Sequence, residues 1–217
     1  KLAARVMVRW IGEQRFGRNG RNVPAARAWI VDGGPPPRDY KERSFLMSAL
    51  QSDLFNEVLA TRVTDGLFAQ YIEGDVLRKE DSGGIFTTTD DDDARARIAT
   101  WEISPTGPMF GTKMRAAERV TLERETRVLD ASGITADMLA AAQKYGEGSR
   151  RAIRVRPTDA EITVDGEDLQ LAFALPSASR NKTRLISYSH HIAPASRWPR
   201  RRSMRAMTIR LSLCLPL

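Results

Sequence analysis

The chain contains 217 residues, of which 41% are hydrophobic and 28% are charged, and these proportions are ordinary for a globular protein. No apolar run approaches the ~20 residues that a membrane-spanning helix requires, so we expect no membrane partner. The first residue is Lys1 and nothing near it resembles a signal peptide. We therefore expect the N-terminus to be a cut rather than a natural start.

The net charge of +7 suggests an acidic partner such as nucleic acid, but the distribution of charge narrows that argument. Residues 180–217 contain nine basic and no acidic residues, so residues 1–179 carry 25 basic against 27 acidic residues. This near-neutral body argues against a small, basic ribosomal-type protein. A second local excess of basic residues remains in residues 1–34, which contain seven basic residues and only two acidic ones, Glu13 and Asp32. That segment is the better candidate for contact with phosphate.

Histidine and cysteine are confined to the C-terminal segment, at His190, His191 and Cys214. Residues 1–179 therefore cannot form a Ser-His-Asp triad, a cysteine nucleophile or a His/Cys zinc site. The acidic run at residues 90–93 precedes a short helical pattern, and acids are favourable at a helix N-terminus. We interpret the run as a solvated helix start and expect no metal.

The first predicted elements are a basic, glycine-punctuated segment and a long helix. Residues 1–34 lead into a turn-rich linker, VDGGPPPRDY. Residues 35–155 are predicted to form a mixed domain that opens with a helix over residues 41–62. Leu46, Leu50, Leu54 and Val58 recur there every four residues, with Phe45, Ala49 and Leu59 beside them.

Shorter elements follow in the same domain. Extended pieces are predicted near Val76 and at residues 85–88, and the sequence PTGP at residues 105–108 is predicted to be a turn or loop. A second helix is expected from about Lys113 to Ala131, stopped by Gly133. A third helix is expected to be capped by Thr135 and to end before Gly146.

The last two segments differ in character. Residues 156–179 are predicted to form a β-hairpin, because apolar residues alternate on both sides of a turn placed at Asp165-Gly166. Residues 180–217 contain no acids and show no helical or strand period, so we expect a tail that is either disordered or foreign to the fold.

Five strings of the chain, in order and at matching spacing, resemble the TruD family of tRNA pseudouridine synthases. They are GEQRFGRNGRN (12–22), RSFLMSALQSDLFNEVL (43–59), PTGPMFGTKM (105–114), GSRRAIR (148–154) and LAFALPSAS (171–179). The resemblance implies an α+β fold in which a pseudouridine-synthase catalytic domain is interrupted by a mixed α/β inserted domain. Residues 1–34 and 156–179 would be catalytic-domain pieces and residues 35–155 the insertion.

The resemblance also implies an activity. The family isomerises a uridine of the tRNA D-arm, expected at tRNA position 13, to pseudouridine. It uses neither cofactor nor metal, and we expect a cytoplasmic monomer whose partner is tRNA. The family's nucleophile is an aspartate in a Gly-x-Lys-Asp stretch, and this chain has no such stretch. The catalytic residue is therefore unknown, and the chain alone is expected to be inactive unless another carboxylate, such as Asp39 or Asp53, replaces it.

The RNA-binding candidates lie in and after the QRFG motif: Gly12, Gln14, Arg15, Phe16 and Arg18. Arg15 could contact phosphate or the catalytic carboxylate, and glycine at positions 12 and 17 could let RNA approach the backbone. The alternative is a structural arginine beside a core phenylalanine. Gln14 could read a base edge or make a backbone contact, and Arg150 and Arg151 could face tRNA.

Departures from the family leave two rival interpretations open. The family has asparagine and aromatic residues where this chain has Arg9 and Ile11, and an aromatic residue where it has Arg180. These differences favour an RNA-binding module without chemistry of its own. The change of composition at residue 180 suggests a shift of reading frame, which favours a non-functional product of a disrupted gene.

Overall fold

The computed structural model describes residues 7–165, 168–176 and 204–212 and divides the chain into two compact units, Trp10–Arg154 and Lys1–Arg9 with Val155–Leu217. Helices and strands are mixed, and the fold class is α+β as predicted. The helices are α1 (Asn22–Ile30), α2 (Tyr40–Thr64), α3 (Asp91–Ala99), α4 (Arg119–Ala131) and α5 (Ala136–Ala141). The strands are β1 (Met7–Val8), β2 (Leu77–Lys79), β3 (Ile85–Phe86), β4 (Ile103–Met109), β5 (Ser149–Ala152), β6 (Arg154–Val155), β7 (Thr158–Asp165), β8 (Asp168–Pro176) and β9 (Met204–Ser212).

Helix α2 is the centre of the unit Trp10–Arg154 and confirms the predicted long helix. Its N-terminus is capped by Asp39, whose side chain accepts a hydrogen bond from the Glu42 amide at 3.2 Å. The predicted four-residue stripe is buried and packs against side chains of α1, α4 and α5. The core around it contains Ala26, Leu46, Met47, Leu50, Leu54, Val58, Phe110, Ile134, Leu139 and Ala142.

The second layer is a four-stranded antiparallel sheet with the strand order β3-β2-β4-β5. Our prediction of a turn at residues 105–108 is wrong, because these residues lie within β4. Strand β2 pairs with Ile103–Pro105 and β5 pairs with residues 106–109. Each half of β4 is therefore paired with a neighbouring strand on one side only. A strand tolerates proline at such a position, because proline has no N–H to donate to a second neighbour.

The helices after β4 differ from the prediction at one boundary. Helix α4 begins at Arg119 rather than near Lys113, because Glu118 is extended and donates its amide to the Gly74 carbonyl at 3.0 Å. Its stop at Gly133, with φ of 73°, is confirmed. The cap of α5 is also confirmed, since the Thr135 hydroxyl accepts from the Met138 amide. Asp90 caps α3 in the same way, as expected for the acidic run.

Two glycines mark a close approach between backbone segments. A Cβ atom built on Gly111 would lie 2.5 Å from the backbone nitrogen of Gly148. One built on Gly148 would lie 2.7 Å from the Cα of Gly111. The Lys113 amide donates to the Glu147 carbonyl at 2.7 Å in the same region. The strings PTGPMFG and GSRRAIR therefore meet through their main chains.

Arg150 lies inside the protein, which corrects the expectation that it could face tRNA. Its guanidinium pairs with both carboxylate oxygens of Glu125 on α4, at 2.7 and 2.8 Å, and also donates to the hydroxyl and carbonyl oxygens of Thr106 on β4. Both side chains are almost completely buried. Burial raises the pKa of the Glu125 carboxyl, and the Arg150 guanidinium opposes that rise. The pair ties α4 to the sheet.

The second unit contains a three-stranded antiparallel sheet with the order β7-β8-β9. The predicted hairpin is present, but Asp165 pairs with Asp168 at the strand end and is not a turn residue, and positions 166 and 167 lie outside the described residues. The expectation of a wholly disordered tail is wrong for Met204–Ser212, which pair with β8 along its length. The rest of segment 180–217 lies outside the described residues.

The buried ion pair predicts a specific loss of stability. Arg150→Met should lower the free energy of unfolding by about 3–5 kcal/mol, because it leaves the Glu125 carboxylate buried and unpaired. The loss should shrink between pH 8 and pH 5. Burial raises the pKa of Glu125 in the folded state, and the variant lacks the Arg150 guanidinium that opposes this rise. Acidification therefore protonates the folded variant before the unfolded one and stabilises the variant more than the parent. Urea unfolding at both pH values measures this.

The control is Arg95→Met, because Arg95 is exposed and pairs with the acids of α3. That change should cost no more than about 1 kcal/mol. The double variant Arg150→Met, Glu125→Leu should recover most of the loss, since no charge stays unpaired. A loss in Arg150→Met that is small and independent of pH would show that the pair is solvated.

Candidate nucleic-acid interface

The QRFG motif lies in a loop that is anchored to helix α2. Ile11 is buried, and its backbone exchanges two hydrogen bonds with the side chain of Asn56. The Ile11 amide donates to Asn56 Oδ1, and Asn56 Nδ2 donates to the Ile11 carbonyl, both at 2.9 Å. The side-chain amide of Asn56 thus makes the pair of hydrogen bonds that the main chain of a neighbouring β-strand would otherwise make. It fixes where the loop starts.

Hydrogen bonds within the loop fix its course up to α1. Asn22 is the main link, because its Nδ2 donates to the Arg15 carbonyl at 3.0 Å and its amide donates to the Phe16 carbonyl at 3.0 Å. Gly17 adopts φ of 78° and ψ of 177°, a conformation essentially restricted to glycine. A Cβ atom there would lie 2.6 Å from the Asn22 side chain. The space that a side chain at position 17 would need is therefore occupied by Asn22.

Three arginines project from this loop. Arg15 is half-buried, and Arg18 and Arg21 are exposed. The ion pairs formed within the described ranges include none of the three. The guanidinium of Arg15 instead lies 6.0 Å from the ring of Phe45 on α2. The loop therefore presents positive charge that no described carboxylate neutralises.

The other predicted site residues share this loop. Gln14 is exposed, Phe16 is half-buried, and the carbonyl of Gly12 accepts a hydrogen bond from the Arg15 amide at 3.1 Å. The five candidates therefore lie close together in the structure, which follows already from their closeness in the sequence. Sequence reasoning missed Asn22 and Asn56, which hold the loop. No sequence signal singles out Asn56, because α2 also has polar residues at Gln51, Asp53 and Glu57.

The basic segment also contains an arginine with a structural role. Arg27 on α1 donates to the Ser132 carbonyl at 2.7 Å and so links α1 to the end of α4. The two carboxylates considered as substitute nucleophiles lie on or before α2. Asp39 is its cap, and burial together with Glu57 raises the pKa of Asp53 while Arg27 opposes the rise.

The described residues contain no cluster of three or more His, Cys, Asp or Glu side chains able to hold a metal ion. None of the helices in the described ranges has the length and apolar character needed to cross a bilayer.

The fold resembles that of a solved protein. The crystal structure of the "putative tRNA pseudouridine synthase D (TruD)" from Methanosarcina mazei superposes with a TM-score of 0.54, covering 94% of this chain and 57% of that one at 16% sequence identity. This likeness establishes the fold alone: the chain shares the α+β architecture of that protein.

Sequence comparison identifies the family. The model of the family "tRNA pseudouridine synthase D (TruD)" matches residues 40–179. Proteins named tRNA pseudouridine synthase D are 45% identical in Anaeromyxobacter sp. (strain Fw109-5) and 37% identical in Xanthomonas axonopodis pv. citri (strain 306). These matches cover 82% and 81% of this chain but 52% and 51% of the relatives. The chain belongs to the TruD family and spans about half the length of the curated relatives it matches.

The geometry of the loop predicts a difference between two of its glycines. Gly17→Ala should distort the loop, because it adds backbone strain and a clash with Asn22. Gly20→Ala is the control: Gly20 also has a positive φ, of 71°, but no atom lies within 4 Å of its added Cβ. That change should cost only about 1–2 kcal/mol.

Amide hydrogen exchange over residues 12–22 tests this difference. Gly17→Ala should speed exchange of the Asn22 amide far more than Gly20→Ala does. Equal effects of the two variants would contradict the packing of Asn22 against Gly17.

Proposed function

We propose that this chain is part of a tRNA pseudouridine synthase, which in its intact form isomerises a D-arm uridine, expected at tRNA position 13, to pseudouridine. Membership of the TruD family supports the reaction. The observation that supports RNA binding by this chain is the loop that carries Arg15, Arg18 and Arg21, which we call the arginine loop. We further propose a cytoplasmic monomer that uses no cofactor. The division into catalytic pieces at residues 1–34 and 156–179 and an insertion at residues 35–155 is part of the same proposal.

The reaction requires the protein to hold RNA firmly around one nucleotide. Enzymes that act on a base take it out of the stack, and unstacking costs a few kcal/mol. Contacts to phosphate supply binding energy and set the register of the RNA on the protein. Arg15, Arg18 and Arg21 suit this role, because a guanidinium pairs well with phosphate and theirs have no described carboxylate partner. The proposed contact residues are Gly12, Gln14, Arg15, Phe16 and Arg18.

A second candidate function is RNA binding without chemistry. The chain contains no Gly-x-Lys-Asp stretch. Ile11, which stands where the family has an aromatic pocket residue, is 3% exposed and serves the core. An aliphatic side chain in that environment offers no ring for a base to stack on. These two observations favour a binding role for the chain when it acts alone.

The proposed loop contact predicts a change in the salt dependence of binding. Arg15→Ala combined with Arg18→Ala should make the slope of log K against log salt shallower by about one to two units. The slope is measured with an unmodified tRNA transcript over a series of salt concentrations. The melting temperature should stay nearly constant, because substitutions of this kind usually change stability by less than about 0.5 kcal/mol.

A matched control removes two charges elsewhere. Arg78→Ala combined with Arg95→Ala removes two arginines that already pair with acids, so the salt slope should be unchanged. Lost stability with an unchanged slope in the Arg15, Arg18 variant would mean that these arginines support the fold and do not touch tRNA.

The missing aspartate predicts that the 217-residue chain does not isomerise uridine by itself. Conversion in unmodified tRNA can be followed by reverse-transcription stops after carbodiimide labelling. We expect no signal above background at any protein concentration that saturates binding. Turnover would contradict this and would direct attention to Asp39 and Asp53, whose change to asparagine should then abolish it.

A further inference from the structure

Phe45 is an exposed aromatic residue near the start of helix α2, just before the part of the helix that packs in the core. Its side chain is 42% exposed, whereas its neighbours Leu46 and Met47 are 5% and 0% exposed. The sequence pattern assigned Phe45 to the packed side of α2, so its exposure is not explained by the core. A single exposed apolar side chain is common at protein surfaces, so the groups around the ring decide whether it marks a binding site.

The surroundings of the Phe45 ring are positively charged. The Arg15 guanidinium lies 6.0 Å from the ring centre, and Arg15 forms no ion pair among the described residues. The same loop carries Arg18 and Arg21, which are exposed. One helical turn before Phe45, Lys41 and Glu42 are both exposed and offset each other. The excess positive charge beside the ring therefore comes from the loop.

An exposed ring beside the Arg15 guanidinium, which has no ion pair among the described residues, suits one kind of ligand. A nucleobase stacks on an aromatic face or on a guanidinium plane, and its phosphate needs cations within a few ångströms. A protein partner fits less well, because a stable protein interface buries on the order of 1,000 Å² around an apolar centre. A single half-exposed ring among arginines offers no such centre.

We propose that Phe45 and Arg15 form a stacking platform for an unpaired base of the bound RNA, with Arg18 and Arg21 contacting the phosphates that flank it. The inference rests on the proposed RNA-binding function and adds to it a residue of α2, outside the QRFG motif. Because the platform recognises a base face, it distinguishes single-stranded or looped RNA from a continuous duplex.

The test separates stacking from charge through two readouts, the dissociation constant and its salt slope. The full chain is titrated with an unmodified tRNA transcript. Phe45→Leu keeps an apolar side chain of similar size but removes the ring, and Phe45→Tyr keeps the ring. We expect Phe45→Leu to weaken binding by about five-fold or more with an unchanged salt slope, and Phe45→Tyr to bind as the parent does.

Two comparisons complete the design. Leu122→Ala changes another exposed apolar side chain, 44% exposed on α4, and should leave binding unchanged. With a 20-base-pair RNA duplex as ligand, Phe45→Leu should bind as the parent does, because no unpaired base is available to stack. Melting temperatures of all variants establish that each is folded.

The outcomes distinguish this inference from the proposed function. Parent-like tRNA binding by Phe45→Leu, together with a shallower slope in the Arg15, Arg18 variant, would overturn the platform and leave the arginine contact in place. Unchanged binding and slope in both variants would overturn the RNA contact and the platform together. Equal weakening of tRNA and duplex binding by Phe45→Leu would also overturn the platform.

Discussion

Most side chains in the middle of helix α2 are buried, and this burial determines how the elements around the helix are held. Its apolar residues can pack in any direction, but its polar residues must find partners because an unpaired buried polar group costs about 1–3 kcal/mol. Gln51 donates to the carbonyls of Phe110 and Gly146, Arg62 pairs with the buried carboxylate of Asp75, and Asn56 holds the arginine loop. Each of these contacts fixes a different segment, so the fold of the unit and the position of the loop that carries Arg15, Arg18 and Arg21 share one cause.

Features set by local physics could be predicted from the sequence. The long helix, the cap at Thr135 and the helix start after the acidic run all depend on neighbours within four residues, and the structure has them. Features set by distant neighbours could not be predicted. The two prolines in β4 suggested a turn. The sequence around them does not reveal that each half of the strand is paired on one side only. Arg150 was expected at the surface because its partner Glu125 is recognisable only in space.

The candidate site shows the same division. The arginines of the loop are adjacent in sequence and were predicted as a group, but their lack of carboxylate partners among the described residues is a property of the fold. Asn56 lies 45 residues from Ile11, which it holds, and Phe45 follows the helical period yet faces water. In the C-terminal segment, alternation of Met207, Ile209 and Leu211 with polar residues was a strand signal that the abundance of arginine obscured.

The contact between Gly111 and Gly148 has a consequence for how this gene can change over time. The atoms that exclude a side chain at Gly111 are main-chain atoms of Gly148 and Glu147, and those that exclude one at Gly148 are main-chain atoms of Gly111, so no second substitution can make room. The two codons cannot drift as a compensating pair. In a lineage where the unit still has to fold, they are held by purifying selection on the polypeptide alone, whether or not any isomerase activity survives. Counting replacements at these two codons against silent changes in closely related genomes therefore measures selection on folding separately from selection on catalysis.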